Sequence, residues 1–349
     1  MKTKIVCTLG PASESLEKIK EMITAGMTVA RINCSHGPVE WRRKIIRTVK
    51  KAREELKAKH VKIMLDMRGP EIRIGRFGDV YEKTGDNGFI ILKDGQEFTF
   101  HTKAYVGDQK GVFVTYEKLP SVVKKGQEIL LNDGLIICTV ESVGKDTVTV
   151  RAKVGGELKD RKTLFVPGCD LGLPFISAED AEDLVMACEE DVDWCSPSFT
   201  SSSKDLIEFK AFLKKHGRDY SLISKIESVT GYENLDDILS VTEGIMVARG
   251  DLGVEYPYHL LPAIQKDIIV RTLKAKRILV TATEMHESMI KNARPTRAET
   301  TDVANAVWDG TEYIMTSAET AVGKYPVETI KSMLKIAAEA EKHKKYYRV

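Results

Sequence analysis

Two stretches of the chain combine an apolar run with charged residues at its end. In residues 221–227, Lys225 and Glu227 lie two positions apart. Side chains two apart on a strand point to the same face, so these two charges lie side by side. The second stretch, residues 244–251, ends in Asp251. A cation beside one carboxylate, with a second carboxylate after a later strand, suits a metal-assisted reaction on an anionic substrate. The alternative is a salt bridge at the rim of a sheet.

The elements that must position these residues alternate between strands and helices over the first 70 residues. Apolar runs predict strands at 4–9, 28–32 and 62–65, and helical periodicity predicts helices at 16–25 and 41–56. After Gly69-Pro70 the pattern changes to period-two alternation with turn signals, which predicts a small all-β unit. Its predicted strands are 98–100, 111–115, 128–131 and 147–150.

The strand–helix alternation resumes after Pro167-Gly168. Further strands are predicted at 192–195, 221–226, 245–248, 277–281 and 313–316. Three strands before the β unit and five after it predict an α/β fold, a (β/α)8 TIM barrel with a small all-β domain inserted after strand 3. The predicted domains are a catalytic barrel at 1–70 and 166–349 and an inserted β-barrel lid at 71–165. A doubly wound open sheet is the alternative fold.

Polar residues follow the predicted strand ends, where a (β/α)8 barrel places its active residues. In strand order they are Thr8, Gly10 and Pro11; Arg31, Asn33, Ser35 and His36; Asp66 and Arg68; Lys225 and Glu227; Arg249 and Asp251; Thr283 and Glu284; and Ser317 and Glu319. Loop ends are often polar, but a ring that mixes arginine, lysine and acids predicts an active site at this end of the barrel.

Glu227 and Asp251 are the best candidate metal ligands, because proteins commonly hold Mg²⁺ through one or two carboxylates together with water and substrate oxygens. Lys225 and Arg31 supply fixed positive charge for a phosphate or a carboxylate. This set suits phosphoryl transfer, in which positioning and electrostatic stabilisation do most of the work. The chain has no Walker-type phosphate loop, so a nucleotide would be bound by other means.

Two smaller groups of residues leave their role open. Asn33, Ser35 and Asp66 offer oxygens that can hold a monovalent cation, but Asn33 and Ser35 can also serve only a turn before Gly37. Thr283 can shuttle a proton or orient water, or it can be structural.

The composition excludes several classes of protein. Apolar residues make up 42% and charged residues 30% of 349 residues, which argues against disorder. The net charge of +2, without a long basic block, gives no basis for nucleic-acid binding. No apolar stretch reaches the length of about 18 residues that a membrane span needs. The six cysteines form no Cys-x-x-Cys pair and suit reduced, packed thiols, so we expect a cytoplasmic protein.

Several motifs together resemble those of pyruvate kinases, from the first residues to about Ala340. They are KIVCTLGPAS at 4–13, ARINCSHG at 30–37, LDMRGPEIR at 65–73, ISKIE at 223–227, MVARGDLG at 246–253, PTRAE at 295–299 and DVANAV at 302–307. The resemblance implies transfer of the phosphoryl group of phosphoenolpyruvate to ADP, giving pyruvate and ATP in the last step of glycolysis. The implied catalytic and substrate-binding residues are Lys225, Arg31, Gly250, Asp251, Thr283, Ser317 and Glu319.

The resemblance also implies metal and nucleotide sites. It places Mg²⁺ or Mn²⁺ at Glu227 and Asp251. It matches K⁺ ligands to Asn33, Ser35, Asp66 and the Met67 carbonyl. It matches nucleotide contacts to Thr8, Pro11, Asn33, His36, Arg73 and Lys162. Asp133 matches a lid residue, and Glu71 is the acidic residue associated with K⁺-dependent members.

The sequence ends after the last helix of the barrel, whereas most pyruvate kinases continue into a C-terminal α/β domain. We therefore expect that this effector domain is absent, that sugar phosphates do not regulate the enzyme, and that it forms a homo-oligomer, a dimer or a tetramer. Two alternatives are a Mg²⁺-dependent lyase or aldolase of the phosphoenolpyruvate/pyruvate family and a non-catalytic relative with a binding role.

Overall fold

The structure, a computed structural model, describes residues 2–78, 88–169 and 171–343. The chain divides into two compact units. The first contains Met1–Gly69, Phe175–Gly250 and Leu260–Val349, and the second contains Pro70–Pro174 and Asp251–His259. Residues 166–174 and 251–259 thus group with the second unit. Positions 1, 79–87, 170 and 344–349 of the predicted domains lie outside the described residues.

The first unit begins with strands that alternate with helices. In chain order they are β1 (Lys4–Thr8), α1 (Leu16–Ala25), β2 (Met27–Asn33), α2 (Val39–Glu55) and β3 (Lys62–Asp66). The helix ends follow from capping. The Ser15 side chain accepts a hydrogen bond from Lys18 N at the start of α1. Gly26 ends this helix with a φ of 118°, which glycine adopts without a steric penalty.

The regular elements described between residues 70 and 174 are strands and one short helix. They are β4 (Ile72–Arg73), β5 (Phe89–Leu92), β6 (Glu97–His101), β7 (Gly111–Phe113), the helix α3 (Leu119–Val122), β8 (Glu128–Leu131), β9 (Ile136–Val143), β10 (Thr147–Val154), β11 (Gly156–Lys159) and β12 (Thr163–Phe165). The main sheet has the order β4-β12-β8-β9-β10-β6-β7, and β5 pairs with β11. A bridge between Ile74 and Val114 joins the chain after β4 to the chain after β7. The core of this unit includes Phe98 and Phe100, packed edge to face.

The remaining elements complete the first unit, apart from the C-terminal part of α8. They are α4 (Ala178–Glu190), β13 (Trp194–Ser196), α5 (Ser203–Lys215), β14 (Ser221–Ile226), α6 (Val229–Glu233), α7 (Leu235–Val241), β15 (Gly244–Ala248), α8 (Arg249–Glu255), α9 (Leu261–Lys274), β16 (Ile278–Ala282), a 3₁₀ helix (Glu287–Ile290), α10 (Arg297–Asp309), β17 (Tyr313–Thr316), α11 (Ala318–Ala321) and α12 (Pro326–His343). None of the helices in the described ranges is both long and apolar enough to cross a membrane.

Eight parallel strands close into a barrel in the order β1-β17-β16-β15-β14-β13-β3-β2. The interior is filled by side chains such as Val6, Met64, Trp194, Met246 and Met315. The predicted α/β fold class, a (β/α)8 barrel, is therefore confirmed, and the open doubly wound sheet is wrong. The second unit has more strands than the four predicted there. Strands as short as Ile72–Arg73 carry too few residues to show a period of two. Shortness does not explain β9, which has eight residues with alternating burial and is also missing from the prediction.

Candidate active site

A cluster of four charged side chains lies at the C-terminal ends of β2, β3 and β14. Lys225 Nζ lies 2.8 Å from Glu227 Oε1 and 3.1 Å from Asp66 Oδ1. Arg31 Nε donates a hydrogen bond to the other oxygen of Asp66, Oδ2, at 2.6 Å. We call Arg31, Asp66, Lys225 and Glu227 the charge cluster. Parallel strands of a barrel end at the same rim, which brings together residues that are far apart in the sequence.

The charge cluster is buried and electrically balanced. The side chains of Asp66 and Glu227 are 1% exposed, and that of Lys225 is 12% exposed. Burial alone raises the pKa of Asp66, but Arg31 and Lys225 outweigh burial and hold the pKa below its ordinary value. Buried charges are tolerated when they are paired in this way. The salt-bridge alternative is therefore partly right, since Lys225 and Glu227 do form an ion pair, although a buried one.

Two hydroxyl groups hold the cations of the charge cluster in place. The Lys225 ammonium donates to Ser198 Oγ at 2.6 Å, and this hydroxyl donates to the Met67 carbonyl oxygen at 2.7 Å. Arg31 Nη1 donates to Thr8 Oγ1 at 2.7 Å. Thr8, which is predicted to contact the nucleotide, is therefore hydrogen-bonded to Arg31, which is predicted to bind phosphoenolpyruvate.

Two residues missing from the sequence-based prediction, Ser198 and Phe199, complete this side of the charge cluster. The backbone N–H of Phe199 donates to Glu227 Oε2 at 2.7 Å, and Phe199 has a φ of 52°. Both residues follow β13, the one barrel strand after which no site residue is predicted. The rule used for the other seven strands, a polar residue just past the strand end, is the signal that could have found Ser198.

The carboxylates of the charge cluster retain oxygens that fit a metal ion. Glu227 Oε1 and Asp66 Oδ1 are buried and have no well-aligned hydrogen-bond donor within the described part of the chain, although both lie at ion-pair distance from Lys225. Such oxygens are ligands that Mg²⁺ prefers. Asp251, the other predicted Mg²⁺ ligand, lies in the first turn of α8 and is partly buried.

The predicted K⁺ ligands lie at the ends of β2 and β3 and in the loops that follow. Asn33 Oδ1 accepts a hydrogen bond from Ser35 N at 3.0 Å, so these two residues do form a turn. The turn does not exclude a cation, because Asn33, Ser35, Asp66 and Met67 all offer oxygen atoms. A set of carbonyl, hydroxyl and carboxylate oxygens fits K⁺.

Arg249 braces the loop after β16, where Thr283 is predicted to act. Thr283 has a φ of 72°, which is unusual for a β-branched residue. Arg249 Nε donates to the Thr283 carbonyl oxygen at 3.1 Å, Nη2 donates to the same oxygen, and Nη1 pairs with Asp302 at 2.8 Å. Gly250 lies against this loop, since a Cβ at its position would be 3.2 Å from Thr283 Cγ2. Glycine at 250 and arginine at 249 therefore fix where the Thr283 side chain lies.

Glu319 joins the loops after β16 and β17. Its Oε2 accepts a hydrogen bond from Ser317 N at 2.6 Å, and its Oε1 accepts one from His286 N at 3.2 Å. Burial raises the pKa of Glu319, while these backbone N–H groups act in the opposite direction. Glu319 and Ser317, both predicted as catalytic, are therefore in direct contact, and Glu319 fixes the loop that follows Thr283.

The predicted residues of the second unit form two ion pairs. Arg73 Nη2 lies 2.5 Å from Glu71 Oε2, and Arg73 Nη1 donates to the Arg161 carbonyl oxygen at 3.0 Å. Lys162 Nζ lies 3.2 Å from Asp133 Oδ2, with both side chains exposed in part. The predicted nucleotide contact Lys162 is therefore paired with the predicted lid residue Asp133.

The last predicted nucleotide contacts, Pro11 and His36, are exposed residues after β1 and β2. Their role as nucleotide contacts stays a prediction.

Comparison with known proteins agrees with this fold. The family model "Pyruvate kinase, barrel domain" matches residues 1–330. The pyruvate kinase of Bacillus licheniformis is 43% identical over 350 residues, covering 99% of this chain and 58% of the relative. Those of Thermotoga maritima and Clostridium perfringens are 42% and 41% identical, each covering 99% of this chain, and 72% and 71% of the relative. The chain thus spans between about half and three quarters of the length of the curated relatives it matches, and it belongs to the pyruvate kinase family.

Proposed function

We propose that this chain transfers the phosphoryl group of phosphoenolpyruvate to ADP, giving pyruvate and ATP. The observation that carries the proposal is the charge cluster, a buried lysine and arginine beside two carboxylates at the C-terminal rim of a pyruvate kinase barrel. Phosphoryl transfer needs positioned positive charge and little covalent chemistry from the protein. The charge cluster offers both cations in a site that largely excludes water, where they act more strongly than in solution.

Each residue of the site has a part in this reaction. Arg31 binds phosphate oxygens through its fork, since a guanidinium matches the geometry of a phosphate. Lys225 contacts the phosphoryl group during transfer and stabilises the negative charge on the phosphoryl oxygens in the transition state. Thr283 and the Gly250 backbone contact phosphoenolpyruvate. Thr283 also lies near the proton delivered to the enolate, with Ser317 and Glu319 in support.

Two kinds of cation belong to the proposal. Glu227 and Asp251 would hold Mg²⁺ or Mn²⁺, which when bound supplies charge that polarises and orients phosphate oxygens. Asn33, Ser35, Asp66 and the Met67 carbonyl would hold K⁺. Around these ions the chain supplies fixed geometry, because Ser198, Phe199 and Thr8 hold the cluster residues in place.

The second substrate is a nucleoside diphosphate. We assign contacts with it to the residues Thr8, Pro11, Asn33, His36, Arg73 and Lys162. Asp133 would leave Lys162 when the phosphates of ADP arrive, because a phosphate attracts the ammonium more strongly than one exposed carboxylate does. From the family resemblance we also propose that the protein forms a homo-oligomer and acts in the cytoplasm.

A coupled assay for pyruvate from phosphoenolpyruvate and ADP, with Mg²⁺ and with or without K⁺, tests the function. We expect Lys225→Met to lower kcat by about 10³-fold, the loss typical when a buried electrostatic stabiliser is removed. Lys210→Met is the matched control. Lys210 also forms an ion pair with a glutamate, Glu243 at 2.7 Å, just before β15 and thus at the opposite end of the barrel. We expect kcat to change by no more than about twofold in this control.

Three results would contradict the proposal. If folded Lys225→Met keeps more than about a tenth of the wild-type kcat, its role is not transition-state stabilisation. If the wild-type protein converts phosphoenolpyruvate without ADP, the lyase alternative holds. If it binds phosphoenolpyruvate and turns over nothing, the chain is a binding protein.

A further inference from the structure

A buried arginine holds the loop between β2 and α2 by its backbone. Arg42, in the first turns of α2, is fully buried. Its Nη1 donates to the carbonyl oxygens of Cys34, His36 and Gly37 at 3.1, 3.0 and 2.5 Å. Three carbonyls of the loop at residues 34–38 thus converge on one guanidinium. The loop is therefore held from inside the protein.

A second arginine ties this loop to the next one. Arg68, in the loop after β3, donates through Nε to the same Cys34 carbonyl oxygen at 2.7 Å. The two guanidinium groups lie on either side of Asp183 in α4. Arg42 Nη2 lies 2.6 Å from Asp183 Oδ1, and Arg68 Nη2 lies 3.3 Å from Oδ2. We call Arg42, Arg68 and Asp183 the loop clamp.

The loop clamp has a form that stability alone does not explain. A buried ion pair contributes little net stability compared with apolar side chains of the same size, because charges lose hydration when they are buried. Such a network does hold the groups that it joins in one fixed arrangement, because a shift of either loop would separate buried charges and carbonyls from their partners. The fixed arrangement here is that of two loops relative to each other.

These two loops and the strand ends before them carry all the proposed K⁺ ligands. Asn33 and Ser35 belong to the first segment, and Asp66 and Met67 belong to the second. We propose that the loop clamp is a positioning device that sets which monovalent cation the site accepts, favouring K⁺ over the smaller Na⁺. This inference rests on the proposed function. A cage whose oxygens cannot move inward fits a large cation better than a small one, and a loosened cage loses that preference.

The test replaces Arg42 by lysine. Lysine keeps the charge but has one flexible ammonium, which cannot hold three carbonyls and Asp183 together. Arg53→Lys is the matched control, because Arg53 lies on the same helix and pairs at 3.0 Å with Asp193, which precedes β13 and thus lies at the opposite end of the barrel. The half-saturating concentrations of K⁺ and Na⁺ are measured in two ways. One is activation of the enzyme in the pyruvate assay, and the other is the rise in the melting temperature of the protein without substrates.

We expect Arg42→Lys to raise the half-saturating K⁺ concentration by about tenfold or more, the usual effect of losing a residue that orients metal ligands. The ratio of the half-saturating Na⁺ concentration to the half-saturating K⁺ concentration should fall toward one in both measurements. In Arg53→Lys we expect the half-saturating K⁺ concentration and this ratio to equal those of the wild type. If Arg42→Lys does not fold, Arg68→Lys replaces it, since Arg68 is a quarter exposed and its loss is milder.

The outcomes separate this inference from the proposed function. If the folded variant keeps the wild-type preference for K⁺, or weakens both cations equally, the loop clamp has only a structural role and the inference is wrong. If the wild-type melting temperature does not respond to K⁺ more than to Na⁺, the inference is also wrong. If the melting temperature shows the expected loss of preference but the wild type forms no pyruvate, the proposed function fails and the inference holds.

Discussion

We predict that replacing His286 by leucine makes the stability of this protein less sensitive to acid. His286 follows β16 and is fully buried, and neither ring nitrogen has a hydrogen-bond partner among the residues that the structure describes. Burial lowers the pKa of His286 from 6.5 to about 4, and the nearby carboxylates Glu299 and Asp302 only partly oppose it. The imidazole is therefore neutral in the folded protein at pH values where it is charged in the unfolded chain.

The sign and size of the effect follow from this difference. Between about pH 6.5 and pH 4 the unfolded chain binds a proton at His286 and the folded protein does not, so acid favours unfolding. The shift of the pKa corresponds to about 3 kcal/mol of the free energy of unfolding, lost in full only below pH 4. At pH 5 the loss is roughly 2 kcal/mol.

Urea denaturation at pH 7 and pH 5 measures this loss. Wild type and His286→Leu are compared with His60→Leu, which replaces an exposed histidine. Glu319, whose pKa is raised by burial, acts in the opposite direction because its stabilising proton is lost as pH rises. This contribution is present in all three proteins, so the difference between them reports on His286 alone.

We expect the free energy of unfolding to fall between pH 7 and pH 5 by roughly 2 kcal/mol less in His286→Leu than in the other two proteins. Equal losses in all three proteins would refute the reasoning. That result would mean that the folded protein binds the proton as readily as the unfolded chain, so the imidazole has a hydrogen-bond partner or access to water.

Two further predictions concern positioning in the proposed reaction. Arg249→Lys loses the guanidinium that donates two hydrogen bonds to the Thr283 carbonyl oxygen. Because a small displacement of a group near the reacting atoms is costly, we expect kcat in the pyruvate assay to fall by roughly 10- to 100-fold. An unchanged kcat would show that Thr283 keeps its position without Arg249. Asp133→Asn weakens the exposed ion pair with Lys162. We therefore expect the half-saturating ADP concentration to fall by up to about fivefold, which corresponds to the free energy of one exposed ion pair. A rise would show that Asp133 helps to bind ADP instead of competing with it for Lys162.

The barrel could be predicted because its strands differ strongly from the rest of the chain. A strand such as Gly244–Ala248 is buried on both faces, so its sequence is an unbroken apolar run. Once eight such runs are counted, the fold rule places functional residues at their C-terminal ends. The structure brings three residues chosen by this rule, Arg31, Lys225 and Glu227, into one buried cluster, and their roles stay predictions. Ser198 is missing from the prediction although the end of β13 is predicted to within one residue, because its hydroxyl contacts Lys225 and the Met67 carbonyl, which only folding brings near.

Arg42 could not be predicted, for a physical reason that is common to buried charges. An arginine inside a helix with many basic residues has the pattern of an exposed position. Its burial depends on Asp183, which is 141 residues away in the sequence and adjacent only after folding. Periodicity reports which face of an element is apolar, but it carries no information on which charge of one element meets which charge of another.

The Lys225–Glu227 pair shows why a salt bridge and a catalytic role are not true alternatives. With two cations and two carboxylates, the charge cluster is neutral, and so it can be buried before any substrate arrives. In the proposed reaction the phosphate of phosphoenolpyruvate would give Lys225 and Arg31 new partners, and a divalent cation would give the carboxylates theirs. The ion pair that keeps the resting site neutral therefore contains the groups that the proposed reaction separates.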